Sequence, residues 1–266
     1  MRTRADRPDS GAGQYFDAFP GCQPNVASAV YRLVDRLAAV LLPPRCLLCQ
    51  GPGEVPGRDL CGPCEADLPW LAVACTRCGL PASAAVPGDG CGHCRDRAQP
   101  HRACHAPFLY EFPLTEMLPS LKYRSALANA RVLGTLLGES VVRAGRHAQV
   151  DVVVPLPLHR SRLVERGFNQ SDELARYAAE VTGVGLDRHA LRRVRATGPQ
   201  VGLPREERAS NVRGAFLAER SRVAGRKVAL LDDVVTTGAT AAEAADAMLA
   251  AGAAAVEVWC VARATG

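Results

Sequence analysis

At 266 residues the chain is long enough for one ordinary domain and a small satellite. With 48% hydrophobic and 22% charged residues it has the balance of a soluble globular protein, which excludes a fibrous or wholly disordered chain. The net charge of +5 is unevenly placed: Arg160 to Lys227 holds 15 Lys and Arg against 8 Asp and Glu, so the remainder is slightly acidic.

Such a basic stretch suits polyphosphate or nucleic-acid partners. The plainer reading is an Arg-rich composition, since Lys122 and Lys227 are the only lysines. Residues 1–25 are polar, Gly/Pro-rich and aperiodic, and are expected to be a disordered tail. No apolar run follows the charged N-terminus at the distance a signal peptide requires, so a cytoplasmic protein is expected. Val26–Leu42 is apolar, but it carries Arg32, Asp35 and Arg36 and ends at Pro43-Pro44. It reads as a packed or surface helix and not as a membrane span.

Residues 46–105 are dense in Cys, Gly and Pro without an apolar period, and such a segment needs a staple. Eight of the 11 cysteines form four Cys-x-x-Cys pairs: Cys46/Cys49, Cys61/Cys64, Cys75/Cys78 and Cys91/Cys94. In a reducing compartment this spacing favours zinc over disulfides. Each pair presents two thiolates, and two pairs close a tetrahedral shell with no open position, so structural Zn2+, one or two ions, is expected. Sequential pairing would make two ribbons and interleaved pairing a cross-braced unit. His93, His101, Cys104 and His105 are substitutes if one set is degenerate, while Cys22 and Cys260 read as ordinary thiols.

From Ala106 the texture is that of α/β structure. Ala106–Phe112 reads as a strand, Leu114–Val142 as helix with a break near Ser125, and Val150–Val154 as a buried strand. Phe168–Thr182 is helical, with Ser171 as N-cap, Asp172 and Glu173 in the first turn and Gly183 as the stop. Arg192–Gly225 reads as a long loop or small irregular subdomain. Val228–Leu231 is a strand, Thr240–Ala250 a helix closed by Gly252, and Ala254–Val261 a strand. Strands alternating with helices predict a parallel sheet covered by helices.

The segment Val228–Thr240 carries the chemistry. Asp232 and Asp233 follow the apolar run, at the strand end where open α/β sheets bind ligands. A carboxylate there accepts hydrogen bonds from ribose hydroxyls. Thr236, Thr237, Gly238, Ala239 and Thr240 supply hydroxyls and backbone N–H groups, Gly238 permits close approach, and the following helix start favours an anion. Upstream, Arg160, Arg162 and Arg166 offer guanidinium forks that suit pyrophosphate oxygens. That stretch runs on to Asn169 and Gln170; Gln200, Arg208 and Asn211 belong to a second polar cluster, and Lys122 ends an apolar helix. Plain readings exist for these as well: solvated loop charges for Arg162 and Arg166, a surface Lys122, and a helix-entry cap at Asn169-Gln170.

The acidic Thr-Thr-Gly loop resembles the signature of type I phosphoribosyltransferases for phosphoribosyl pyrophosphate (PRPP). By that resemblance Asp232 and Asp233 lie at the ribose and Thr236–Thr240 hold the 5-phosphate. With the four cysteine pairs, Leu121-Lys-Tyr, Val-Pro-Leu-Pro, Arg-Gly-Phe-Asn-Gln, Pro-Gln-x-x-Leu and Arg-x-x-Asn-Val-x-Gly-Ala-Phe, the chain resembles the ComF family from about Leu41 to Ala262. The resemblance implies a type I phosphoribosyltransferase fold over 106–266, preceded by a helix and double zinc ribbon over 26–105. It also implies PRPP or ribose 5-phosphate as ligand, with Mg2+. Single-stranded DNA and competence or DNA-processing proteins are the implied partners, since the family is linked to natural transformation. DNA binding rests on that analogy, because few of the scarce aromatics lie near the arginines in sequence. Three readings remain open: a PRPP-binding protein of DNA uptake, an active transferase with an unidentified acceptor, and a PRPP-sensing regulator. No residue stands out as a general base.

Overall fold

The structure is a computed structural model that describes residues 44–53, 58–84, 90–96, 99–196 and 212–265. The expected tail over 1–25, the Val26–Leu42 helix and the residues Gln200, Arg208 and Asn211 lie outside them. The chain divides at Pro43/Pro44, and the described residues all belong to the second unit, Pro44–Gly266.

The centre of that unit is a parallel sheet. Strands β1 (Ala103–His105) and β2 (Phe108–Leu109) both pair with β7 (Ala255–Arg263). β7 pairs with β6 (Lys227–Val235), and β6 with β3 (Val152–Pro155). Sheets of this kind are buried on both faces, and the strand sequences comply: β3 and all of β7 after Ala255 are buried, as is β6 from Val228 to Asp233. One face is covered by α3 (Leu114–Arg124), α4 (Leu127–Arg143) and α6 (Gln170–Thr182). The other is covered by α8 (Ala239–Ala250) and by a small antiparallel pair, β4 (Leu191–Arg193) with β5 (Phe216–Ala218). The zinc-binding segment contributes two one-turn helices, α1 (Gly62–Ala66) and α2 (Gly92–Asp96), and the remaining short helices are α5 (Arg160–Arg166) and α7 (Arg220–Val223).

Several expected boundaries move, each for a local reason. The strand expected over Ala106–Phe112 is two short strands, because Pro107 has no N–H to add to the ladder and gives its carbonyl to Leu71 N instead. The helix break falls where expected, with Ser125 in the left-handed region at φ 52°. The cap of α6 is Asn169, whose side chain accepts from Ser171 N, so Ser171 lies inside the helix. The stretch expected as a loop over Arg192–Gly225 contains β4, β5 and α7; elements of three or four residues leave no readable period. β6 runs on to Val235, so Asp232 and Asp233 are strand residues and not the start of the loop.

Helices α4 and α6 cross at close range because Gly134 and Gly138 lack side chains. A Cβ on Gly134 would stand 2.6 Å from the Leu174 carbonyl oxygen, and one on Gly138 would stand 2.8 Å from Val181 Cβ. Gly134→Ala is therefore expected to destabilise the protein by about 1–3 kcal/mol. Gly185→Ala, where a Cβ meets open space, is expected to stay within about 0.5 kcal/mol of the parent. Urea denaturation of the two variants checks the contrast.

Candidate functional site

The ladder explains where the site is. β3 ends at Pro155, opposite Leu231, whereas β7 continues beside β6 until Arg263 faces Val235. Residues Asp232–Val235 therefore have a strand neighbour on one side and a cleft on the other. The cleft holds about 430 Å³ and opens at the carboxyl end of the sheet. Asp232, Asp233 and the whole of Thr236–Thr240 line it, together with Lys122, Arg162, Arg166 and Gln170. Among the described site candidates, Arg160 is exposed outside this lining, and Asn169 supports it from behind by donating to the Leu156 carbonyl.

The phosphate loop is built as the anion chemistry requires. Gly238 sits in the left-handed region at φ 81° and is the N-cap of α8. The first-turn amides of a helix have no intrahelical partner, and the first turn of α8 carries no acidic residue to compete for them. Thr237 Oγ1 accepts from Ala239 N, which holds the loop in shape.

The acidic floor is more organised than the sequence indicates. Ser171 Oγ donates to Asp232 Oδ1 at 3.2 Å, and the same oxygen accepts from Asp233 N at 2.8 Å. Lys122 Nζ is ion-paired with Asp233 Oδ2. Burial, then the charge of Asp233 and hydrogen bonding to it, push the Asp232 carboxyl up to about 8; Lys122 only partly offsets them. Burial opposes the Lys122 ammonium, yet Asp233 and Asp232 outweigh it and raise its pKa. The proton retained on the acidic pair and the Lys122 ammonium both limit the negative charge buried there.

Opposite the loop stand Arg162, Arg166 and Arg193. Arg166 donates to Gln170 Oε1 at 2.6 Å and lies 5.2 Å over the Tyr123 ring. Burial, and then the neighbouring Arg162, lower the pKa of Arg193, the mark of a crowded cationic wall. Sequence reasoning missed Arg193, Tyr110 and Tyr123, and read Ser171 only as a cap. Nothing in the Arg192-Arg193 run singles out one guanidinium. Tyr123 meets Arg166 only in the fold.

The cysteines resolve into sequential sets, Cys46/Cys49/Cys61/Cys64 and Cys75/Cys78/Cys91/Cys94, each with its sulfurs within 4.8 Å of one another. Zinc bound to four sulfurs at about 2.3 Å makes a tetrahedron with edges of about 3.8 Å. The observed sulfur separations are 3.7 Å for Cys49–Cys61, 3.8 Å for Cys75–Cys94 and 3.6 Å for Cys78–Cys91. The donor sets therefore fit two structural zinc ions, and neither set needs His93, His101, Cys104 or His105 as a substitute. Burial opposes ionisation of Cys46, but backbone N–H groups of Cys49, Cys61 and Leu48 outweigh it and bring the thiol to about 6. Cys75 is brought to about 7 in the same way by Cys78, Cys91 and Arg77. Cys94 is pushed up to about 11, by burial first and then by Cys75. Each set thus holds one ready thiolate whose charge resists further ionisation until a dication arrives.

Comparison with known proteins agrees with this division. Residues 37–96 match the double zinc ribbon domain family. The DNA utilization protein YhgH of Salmonella typhimurium is 36% identical over 225 residues, 84% of this chain and 98% of that protein. The competence protein ComFC of Bacillus subtilis is 28% identical over 212 residues, 75% of this chain and 82% of that protein. Among solved structures, the glutamine PRPP amidotransferase of Bacillus subtilis overlaps 48% of this chain and 25% of its own, at 26% identity and a TM-score of 0.33. No helix among the described residues is long and apolar enough to cross a membrane.

Elemental analysis of the purified protein is expected to find two zinc ions per chain, and one after Cys49→Ser with Cys64→Ser. The raised Asp232 carboxyl has a second consequence. It titrates near 3.8 when unfolded, so between that pH and about 8 the folded state holds the extra proton, and its stability falls as pH rises. Buried His101 and partly buried His105, pushed down to about 4, act in the opposite sense below 6.5. Asp232→Asn is therefore expected to gain stability over the parent progressively from pH 4 to 8, as read from paired thermal melts.

Proposed function

The chain belongs to the ComF family of phosphoribosyltransferase-like proteins, and from that membership we propose that it binds PRPP in the sheet-end cleft and acts in the handling of DNA. The type I phosphoribosyltransferase core and the two cysteine clusters are the family's architecture. The observation that carries the ligand is that an acidic pair, an anion loop directly after it and three arginines line one cleft.

In this reading the 5-phosphate sits on the amides and hydroxyls of Thr236–Thr240 at the start of α8, and the ribose hydroxyls donate to Asp232 and Asp233. Ser171 Oγ and the Asp233 amide, which both donate to Asp232 Oδ1, hold that carboxyl in place for the ribose hydroxyls. Lys122 is ion-paired with Asp233. Arg162, Arg166 and Arg193 face the pyrophosphate. Bound Mg2+ would neutralise charge on the pyrophosphate, and Asp232 and Asp233 would be the carboxylates this cleft offers it. Gln200, Arg208 and Asn211 are assigned supporting roles, and the chain is read as a zinc-ribbon segment over 26–105 and a phosphoribosyltransferase-like domain over 106–266.

The DNA role follows the names of the relatives, one a DNA utilization protein and the other a competence protein. Tyr123, 74% exposed at the rim and stacked on Arg166, is the group in this cleft best placed to meet an unstacked base. Phosphate contacts from the arginines would be independent of base sequence and sensitive to salt.

Titration calorimetry with Mg2+-PRPP tests the ligand. Asp232→Asn with Asp233→Asn is expected to weaken binding by at least about tenfold per lost carboxylate hydrogen bond. Unchanged affinity would remove the reading. Parallel assays for pyrophosphate release, with single-stranded DNA or free bases as acceptors, separate a transferase from a binding protein whose DNA affinity responds to PRPP.

A further inference from the structure

The last residue of β7 is an arginine that the cleft does not contain. Arg263 is 3% exposed, a cost that a guanidinium meets only when its donors are satisfied. All its partners are backbone carbonyls. Nε donates to the Cys78 carbonyl at 2.9 Å. Nη1 donates to the Val235 carbonyl at 2.8 Å, to that of Ala264 at 2.7 Å, and to that of Thr236. Cys78 is a ligand in the second cysteine set, and Val235 and Thr236 open the phosphate loop. One rigid guanidinium therefore joins a zinc knuckle to the backbone of the loop.

Two further contacts lie along the same seam. Arg77, between the two cysteines of the knuckle, donates to the Gln99 carbonyl at 3.2 Å. Gln99 Oε1 stands 4.0 Å from where a Cβ of Gly238 would be. A Cβ on Gly79, just past the knuckle, would meet Cys104 Sγ at 2.9 Å, so the knuckle is set closely against β1. The first cysteine set is anchored elsewhere: Arg58 pairs with Glu139, and Asp59 with Arg131, both partners on α4.

We propose that Arg263 is a positioning residue through which the second zinc knuckle holds the phosphate loop in its ligand-binding shape. Zinc in the Cys75/Cys78/Cys91/Cys94 set then supports phosphate-ligand affinity in the cleft, and zinc in the Cys46/Cys49/Cys61/Cys64 set does not. The second knuckle belongs to the working site, and the first is a staple. The geometry favours Arg because its planar fork reaches carbonyls on two sides at once, whereas a Lys ammonium offers one point of charge. Binding linkage is reciprocal, so a ligand that orders the loop must also tighten the second knuckle.

This role for Arg263 rests on PRPP binding in the cleft, and one experiment separates the two. Hydrogen exchange is measured on the full-length, zinc-loaded protein with and without Mg2+-PRPP, together with Arg263→Met and Arg263→Lys. In the unliganded protein Arg263→Met is expected to speed exchange over residues 232–241 at least tenfold while two zinc ions remain bound; Arg263→Lys is expected to fall between it and the parent. In the parent, PRPP is expected to slow exchange over residues 75–80 and leave 46–50 unchanged. Equal response of the two knuckles to PRPP, or loop exchange unaltered by Arg263→Met, overturns the proposal. Absence of any PRPP effect on 232–241 overturns the ligand assignment and leaves the unliganded comparison to decide the role of Arg263. If Arg263→Met does not fold, the Arg263→Lys variant and the parent's two knuckles carry the same decision.

Discussion

Everything at the cleft hangs on the parallel ladder between β6 and β7. It holds β6 in register past the point where β3 stops, and that unequal length creates an open flank beside Asp232–Val235. Without β7 on the other side, a segment reading Asp-Asp-Val-Val would have no reason to stay extended. With it, two carboxylates are fixed side by side at the sheet end, and the chain leaves β6 aimed at the start of α8.

Fixing two carboxylates so close in a buried place has an electrostatic consequence, and the neighbouring elements answer it. Lys122 comes from the end of α3, Ser171 from the first turn of α6, and both reach the same pair. The same helix α6 that crosses α4 closely over Gly134 and Gly138 carries Ser171 in its first turn. Burial and Asp233 together raise the pKa of Asp232, so the pair resists carrying two negative charges. Across the cleft the arginines impose the opposite sign.

The zinc segment solves a different problem. It is too poor in apolar residues to fold on a core of its own; the two tetrathiolate sets fit zinc staples, and Cys46, Leu60 and Leu68 join the main apolar core. Its two halves are nevertheless not equivalent in the fold. The first leans on the outer helix α4 through ion pairs, while the second touches the sheet end and, through Arg263, the phosphate loop.

Features that rest on local chemistry could be read from the chain alone. Cys-x-x-Cys spacing is readable because a metal knuckle needs two thiolates within one turn. The Asp-Asp and Thr-Thr-Gly pattern is readable because one stretch of backbone supplies the acids and the anion loop together. The helix break at Ser125 and the stop at Gly183 were legible for the same reason. Whatever depends on distance through space had to wait for the fold. The cysteine pairing, left open by spacing, was settled by how the knuckles fold back on each other. The extension of β6 through both aspartates was settled by its ladder to β7, since a strand's length is set by its neighbour as much as by its own residues. The Ser171 contact with Asp232, the Arg166 contact with Tyr123 and the Arg263 contacts with Val235 and Thr236 all join residues 27 or more positions apart. No local pattern marks such a residue, because what gives it a role is a partner that only folding brings near.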